Sequence, residues 1–172
     1  GHVQLVDDIL AADPLEAEAR AKKLSYIRLS GSVGTISNGA ALTMSTLDAV
    51  DSAGRDYDVK PANFLDLGGG ASAEYVATAL GLVMSDPNVT VVLVNVFGGM
   101  TACDQVASGI LSALDTAGAA AKKPLVVRLD GNNARAGCQI LREADHPLVT
   151  QVETMDAAAQ LAVRLAAGLP AF

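Results

Sequence analysis

The strongest chemical feature of this sequence is a run of backbone amides that a glycine turn would leave without partners. It lies in Asn95-Val-Phe-Gly-Gly-Met-Thr-Ala-Cys-Asp104. The apolar run Val89 to Val96 reads as a buried strand, and Gly98 and Gly99 open a tight turn behind it. Thr101 and Asp104 stand in capping-box spacing and predict a helix from about Ala102 to Thr116, with Val106, Ile110, Leu111 and Leu114 on its apolar face. A strand that delivers glycines to a helix N-terminus leaves several N–H groups pointing outward, and the helix dipole adds partial positive charge there. Such a place suits a carboxylate or a phosphate. The same turn also occurs in α/β proteins that bind nothing at it, so the turn alone leaves both readings open.

Other candidates are weaker. Gly68, Gly70 and Ala73 satisfy the loose dinucleotide pattern G-x-G-x-x-A, but the next strand ends at Asn95-Val96-Phe97 without the acid that would hold a ribose. The glycines then serve close packing of a helix on its strand. No Walker-type G-K-[ST] is present, so a nucleoside triphosphate cradle of that kind is not expected. His2 and His146 lack carboxylate or cysteine neighbours at ligand spacing, and no metal site is expected. His146, before Pro147, reads as a turn residue. Cys103 falls in a first helical turn, where a thiolate would be favoured, yet no His or Lys stands near it; it reads as a small packing residue. Asp66 ends a strand without the acidic cluster of a phosphoacceptor.

These residues must be carried by a scaffold, and the bulk numbers bound it. The chain has 172 residues, 51% hydrophobic and 18% charged, enough for one domain with a sizeable core. A net charge of -7 and only 3% aromatic residues argue against a nucleic-acid surface. The Lys pairs at 22–23 and 122–123 read as solvated edges. Two cysteines, Cys103 and Cys138, fit a reducing compartment rather than a disulfide framework. No apolar run has the length of a membrane span and no signal peptide is visible, so a cytoplasmic, bacterial location is expected. Gly1-His2 has the look of a tag remnant, which suggests a piece of a longer polypeptide.

Residues 1–23 are expected to be a helical lead-in, with Asp13-Pro14 as N-cap and first helical position. Residues 24–172 read as a single α/β domain. Leu24 to Leu29 and Val33 to Ser37 predict strands joined by Ser30-Gly31-Ser32 as a hairpin, and Ala40 to about Ser52 a helix. Gly54 to Pro61 reads as a mobile loop. From Phe64 onward strand, glycine turn and helix repeat: strands at 64–67, 89–96, 125–129 and 148–152, helices at 71–84, 102–116, 134–144 and 155–167. This alternation predicts a mostly parallel sheet with helices on both faces and functional groups beyond the carboxyl ends of its strands.

Several motifs carry a family resemblance. Pro61-Ala-Asn-Phe-Leu-Asp-Leu-Gly-Gly-Gly-Ala71, Val94-Asn-Val-Phe-Gly-Gly-Met100 with Cys103-Asp104, Val127-Arg-Leu-Asp-Gly-Asn-Asn133, and Ser37-Asn-Gly-Ala-Ala-Leu-Thr-Met44 resemble the C-terminal domain of the succinate–CoA ligase (succinyl-CoA synthetase) β subunit. The resemblance runs from about Leu24 to Ala167 and implies a three-layer, flavodoxin-like α/β fold. The family's N-terminal ATP-grasp domain, which binds nucleotide and Mg²⁺, is absent from this chain. The resemblance implies the reversible reaction of succinyl-CoA, phosphate and ADP or GDP to give succinate, CoA and ATP or GTP. In it a histidine on the partner α subunit carries the phosphoryl group, and neither His2 nor His146 matches that histidine.

For this chain the resemblance implies no catalytic residue and no cofactor of its own; Mg²⁺, nucleotide and CoA belong to the full enzyme. It implies a substrate-binding Asn38, a succinate loop of Gly99, Met100 and Thr101, and a helix N-terminus of Gly98, Gly99, Thr101, Ala102 and Cys103 facing the phosphohistidine. Met100-Thr101-Ala102 departs from the family's Ile-Val-Arg, and Ala102 removes a cation. Thr101 then either contacts the anion through its hydroxyl or caps the helix. The loop Asp51 to Lys60 is longer than the family pattern and is expected to be disordered. Expected partners are the α subunit and succinate, with self-association of the isolated domain and without nucleic acid or membrane. The contrasting reading is a freestanding α/β binding or assembly domain that has the fold without the reaction.

Overall fold

A computed structural model describes residues 13–171. The expected tag remnant Gly1-His2 and residues 3–12 of the expected lead-in lie outside the described residues. Helix α1 (Pro14–Ala21) begins as the sequence predicts, the Asp13 carboxylate accepting from the N–H groups of Leu15 (2.9 Å) and Glu16 (3.2 Å). The strands are β1 (Ser25–Arg28), β2 (Val33–Ser37), β3 (Asn63–Asp66), β4 (Val91–Gly98), β5 (Leu125–Gly131) and β6 (Val149–Gln151). The further helices are α2 (Ala40–Gly54), α3 (Ala73–Met84), α4 (Cys103–Ala117), α5 (Ala134–Ala144) and α6 (Met155–Ala166).

The six strands lie in the order β1-β3-β2-β4-β5-β6. From β3 to β6 all pairings are parallel, and β1 joins the edge antiparallel to β3. The parallel part has the doubly wound, flavodoxin-like order, whose direction of winding reverses between β2 and β4. Ligands of such sheets bind at the carboxyl ends of the strands flanking that reversal.

Strand β4 is central, and Val91 to Val96 are all buried. Val92, Val94 and Val96 pack with Ala19, Val76, Leu80, Val106, Ile110 and Leu141 from α1, α3, α4 and α5. Val91 and Leu93 pack on the other face with Val50 of α2 and Ala158, Leu161 and Ala162 of α6. A strand covered on both faces has no polar side, which is why its sequence reads as an unbroken apolar run.

The expected hairpin is not formed. β3 is inserted between β1 and β2, and the Ser30–Ser32 turn is held by the segment leading into β3: Gly31 N–H donates to Pro61 O (3.1 Å), and Ser32 N–H to Lys60 O (2.9 Å). The turn chemistry is real, but it reverses the chain around a third strand. Between β2 and β3 the Asn63 side chain stands in for a backbone link, its Nδ2 donating to Thr35 O (2.8 Å) and its Oδ1 accepting from Thr35 N–H (3.2 Å).

The segment expected to be a disordered loop is ordered. Asp51 to Gly54 complete α2, Arg55–Tyr57 form a 3₁₀ turn, and Val59 is buried in the α2–α6 core cluster. Burial of Val59 anchors what charge and glycine content alone suggest is free. Lys123 also departs from expectation. Its ammonium donates to Met84 O and Asp86 O, both at 2.7 Å, and burial lowers its pKa against the opposing pull of Asp86. Lys22 meets Glu18 at 2.9 Å on an exposed helix face. His146 acts as a turn residue, its Nδ1 accepting from Leu148 N–H (3.1 Å). Among the described residues no helix is long and apolar enough to cross a membrane.

Candidate functional site

Three turns meet where β2, β3 and β4 end. Asn38 follows β2, and its side chain spans the reversal point of the sheet: Nδ2 donates to Phe97 O (2.7 Å) and Oδ1 accepts from Phe97 N–H (3.0 Å). This two-point contact imitates one more rung of the β2–β4 ladder beyond Ser37↔Asn95. Asp66 ends β3. One carboxylate oxygen, Oδ1, accepts from Gly39 N–H (2.6 Å) and Gly68 N–H (2.8 Å). Gly68 and Gly70 both have φ of +71°, a conformation that a side chain would strain, so these two glycines are needed to make the turn.

The β4–α4 turn completes the group. Gly98 is still paired, its carbonyl accepting from Asn132 N–H at 2.9 Å. Asn132 O in turn accepts from Cys103 N–H at 3.1 Å. The N–H groups of Gly99, Met100 and Asp104 find no acceptor among the described residues. Gly99 and Met100 are exposed, Met100 to 85%, so the turn opens to solvent. Phe97, 52% exposed, flanks it, and Met100 lies across Gly69 of the neighbouring turn. The α4 N-terminus therefore offers unpaired donors and the positive end of a dipole at the carboxyl edge of the sheet.

Thr101 is not the N-cap. That position is Ala102, which supplies no side-chain cap. The Thr101 hydroxyl turns inward, 1% exposed, where Oγ1 accepts from Ala71 N–H (3.0 Å) and makes a long 3.5 Å contact to Gly68 O. The buried glycine turn competes for the hydroxyl and wins. The α4 end is further braced by Asn133 Nδ2 donating to Asp104 Oδ1 (3.1 Å) and by Ala73 N–H donating to Gln105 Oε1 (3.2 Å).

Cys103 is buried, its thiol donating to Asp130 O (3.2 Å), and desolvation pushes its pKa up despite a lowering backbone bond from Gly98. It is a packing residue. Alkylation with iodoacetamide at pH 8, followed by peptide mass spectrometry, is expected to modify the half-buried Cys138 well before Cys103. Faster labelling of Cys103 would contradict its burial.

The structure thus gathers Asn38, Gly98, Gly99, Met100, Thr101, Ala102 and Cys103 at one edge. Sequence reasoning missed two further participants. Asp66, weighed only as a phosphoacceptor, organises two turns. Arg128 lies in the middle of β5, paired with Asn95 of β4, where Nη1 donates to Asn95 Oδ1 (3.3 Å) and Nη2 meets Asp130 Oδ2 (3.1 Å). Its Nε is buried without a partner among the described residues. The available signal was a cation inside the otherwise apolar run Leu125 to Leu129.

This geometry defines the class: a doubly wound α/β domain with an amide-lined turn at its topological switch point. The CoA-ligase family profile matches residues 36–163, most of the chain, and the chain belongs to the CoA-ligase family. Its fold is similar to that of ATP citrate lyase from Methanothrix soehngenii in complex with citrate and coenzyme A. That match has a TM-score of 0.71 at 18% identity, over 89% of this chain and 45% of that one. It is also similar to the dinucleotide-forming acetyl-coenzyme A synthetase 1 of Ca. Korarchaeum cryptofilum, with a TM-score of 0.62 at 16% identity, over 83% of this chain and 34% of that one. The chain spans less than half the length of these structures.

Proposed function

We propose that this chain is the C-terminal CoA-ligase domain of a succinate–CoA ligase β subunit. In the reaction, phosphate displaces CoA from succinyl-CoA to give succinyl phosphate; a histidine of the α subunit takes the phosphoryl group, releasing succinate, and passes it to ADP or GDP. The chain's own part is positional. The Gly98–Ala102 turn seats the acid's carboxylate, and the α4 N-terminus stabilises negative charge on the phosphoryl oxygens presented by the α subunit. The observation that carries this reading is the solvent-open turn at the sheet's switch point with its unpaired Gly99 and Met100 amides. The four sequence motifs support the choice of subunit family. Helix ends hold no proton of their own, so this stabilisation persists across the pH range.

Nucleotide and Mg²⁺ belong to the ATP-grasp domain in this reading. No step is assigned to Mg²⁺ on this chain, and among the described residues no group of three His, Cys, Asp or Glu side chains is placed to hold a metal ion. The α subunit is the proposed partner, and the cytoplasm the proposed compartment. Inward commitment of the Asn38 and Thr101 side chains favours one competing reading, a non-catalytic anion-binding or assembly domain.

Size-exclusion chromatography of the chain mixed with its α subunit tests the proposal. A stable complex without turnover is expected; failure to associate, or turnover by the chain alone, overturns it. Gly99→Val tests the seat in the complete enzyme. No atom lies within 4 Å of the position a Gly99 side chain would take, so the fold should survive while kcat/KM for succinate falls about tenfold or more. Unchanged kinetics would remove the turn from the substrate site.

A further inference from the structure

The geometry points to Asn38, Asp66 and Thr101 as positioning residues that lock three turns into one hydrogen-bonded ring, with Asn38 acting through the end of β4 rather than by its amide on the ligand. The ring can be traced bond by bond. Asp66 Oδ1 holds Gly39 N–H at 2.6 Å. Asn38, next in the chain, grips both backbone groups of Phe97, at 2.7 and 3.0 Å. Four residues on, Thr101 Oγ1 holds Ala71 N–H at 3.0 Å. The chain runs back from Ala71 to Gly68, whose N–H returns to the same Asp66 oxygen at 2.8 Å. Each of the β2–α2, β3–α3 and β4–α4 turns is therefore tied to both others.

The ring has a mechanical reason. The Gly98–Ala102 turn contains two glycines and offers amides that must stay unpaired until an anion arrives. Such a backbone has no internal bonds to fix it, so its position must be imposed from its two ends. Asn132 bridges Gly98 O and Cys103 N–H from the β5 side; from the β2 and β3 side Asn38 fixes the entry at Phe97 and Thr101 the exit. Asp66 ties those two anchors to each other. Every one of these bonds involves a backbone partner, so substitution of the neighbouring side chains leaves the ring in place. The proposal rests on the reading of that turn as the anion seat, but the ring itself is a property of the ligand-free chain.

Amide hydrogen exchange followed by NMR tests it on this chain without ligand. Thr101→Val, which keeps the shape and loses the acceptor, is expected to speed exchange about tenfold at Ala71 and, through the ring, at Gly39 and Phe97. Asn38→Ala is expected to do the same at Phe97, Gly39 and Ala71. Thr101→Ser and Asp66→Asn keep the acceptors and should restore slow exchange, even if a harsher variant fails to fold. Faster exchange confined to the one amide that lost its partner would overturn the ring. Titration with succinate and with inorganic phosphate, read at Gly99 and Met100, separates the two claims. Wild-type shifts that weaken about tenfold in Thr101→Val support both. Absence of shifts in the wild type counts against the anion seat while the exchange data still decide the ring. Equal shifts in Asn38→Ala and wild type would deny Asn38 a positioning role.

Discussion

Gly109→Ala is expected to destabilise the fold by about 2 kcal/mol, although alanine is the better helix former. Gly109 lies in the middle of α4, where that helix crosses α3 closely. A methyl group there would sit 2.5 Å from Ala73 O and 2.7 Å from Val76 Cβ. The first of these is backbone and cannot swing aside. The start of α3 is also fixed, because Ser72 Oγ caps Tyr75 N–H (3.1 Å) and Gln105 holds Ala73 N–H. The helix interior gains roughly 1 kcal/mol from losing a glycine. Forcing the helices apart costs about 3 kcal/mol, at the upper end of the range for overpacking. The difference corresponds to a fall in Tm of about 4–8 °C for a domain of this size. A thermal melt that rises or stays constant would mean that α3 and α4 can separate freely.

The second large effect is expected at Asp86. Its side chain is 1% exposed and accepts from Arg28 Nη2 (2.9 Å), Arg28 Nε (3.3 Å) and Asn88 N–H (2.9 Å). Arg28 reaches Asp13 only at 3.6 Å, so Asp86→Ala leaves a mostly buried guanidinium with one distant partner. A loss of about 3 kcal/mol is expected by urea denaturation, at the lower end for breaking a buried pair because the Arg28 side chain remains 22% exposed. Adding Arg28→Met should recover part of it, since the penalty lies in the stranded charge rather than in the lost bond. A loss below about 1 kcal/mol, or no recovery in the double variant, would show that water serves Arg28 equally well.

Much of the scaffold was legible because its signals are local and repeated. Apolar runs bounded by glycine turns placed β4, β5 and the helices after them within a few residues, and 134–144 and 33–37 coincide with α5 and β2. The hairpin failed because Ser30-Gly31-Ser32 reports only that the chain turns. Which strand it turns around depends on Asn63–Asp66, some thirty residues later. Capping-box spacing at Thr101 failed for a similar reason: a hydroxyl has one best partner, and Ala71 N–H lies in a turn that the local sequence does not show. Asp66 and Arg128 escaped because their roles are relations between strands. The turn at Gly98 to Cys103 was legible as a turn because glycines before a helix expose its amides wherever the rest of the chain goes.

The insertion of β3 leaves β1 and α1 as an outer margin secured by one antiparallel pairing, the Asp86 clasp, the Tyr75 hydroxyl on Lys23 O and the burial of Ala19, Leu24 and Tyr26 in the core. The five strands from β3 to β6 share no pairing with β1 beyond that first edge. The switch point between β2 and β4 lies on the far side of β3 from this margin. Limited proteolysis should reach the Leu29–Ser32 linker while the turns around Asn38 and Gly99 stay intact.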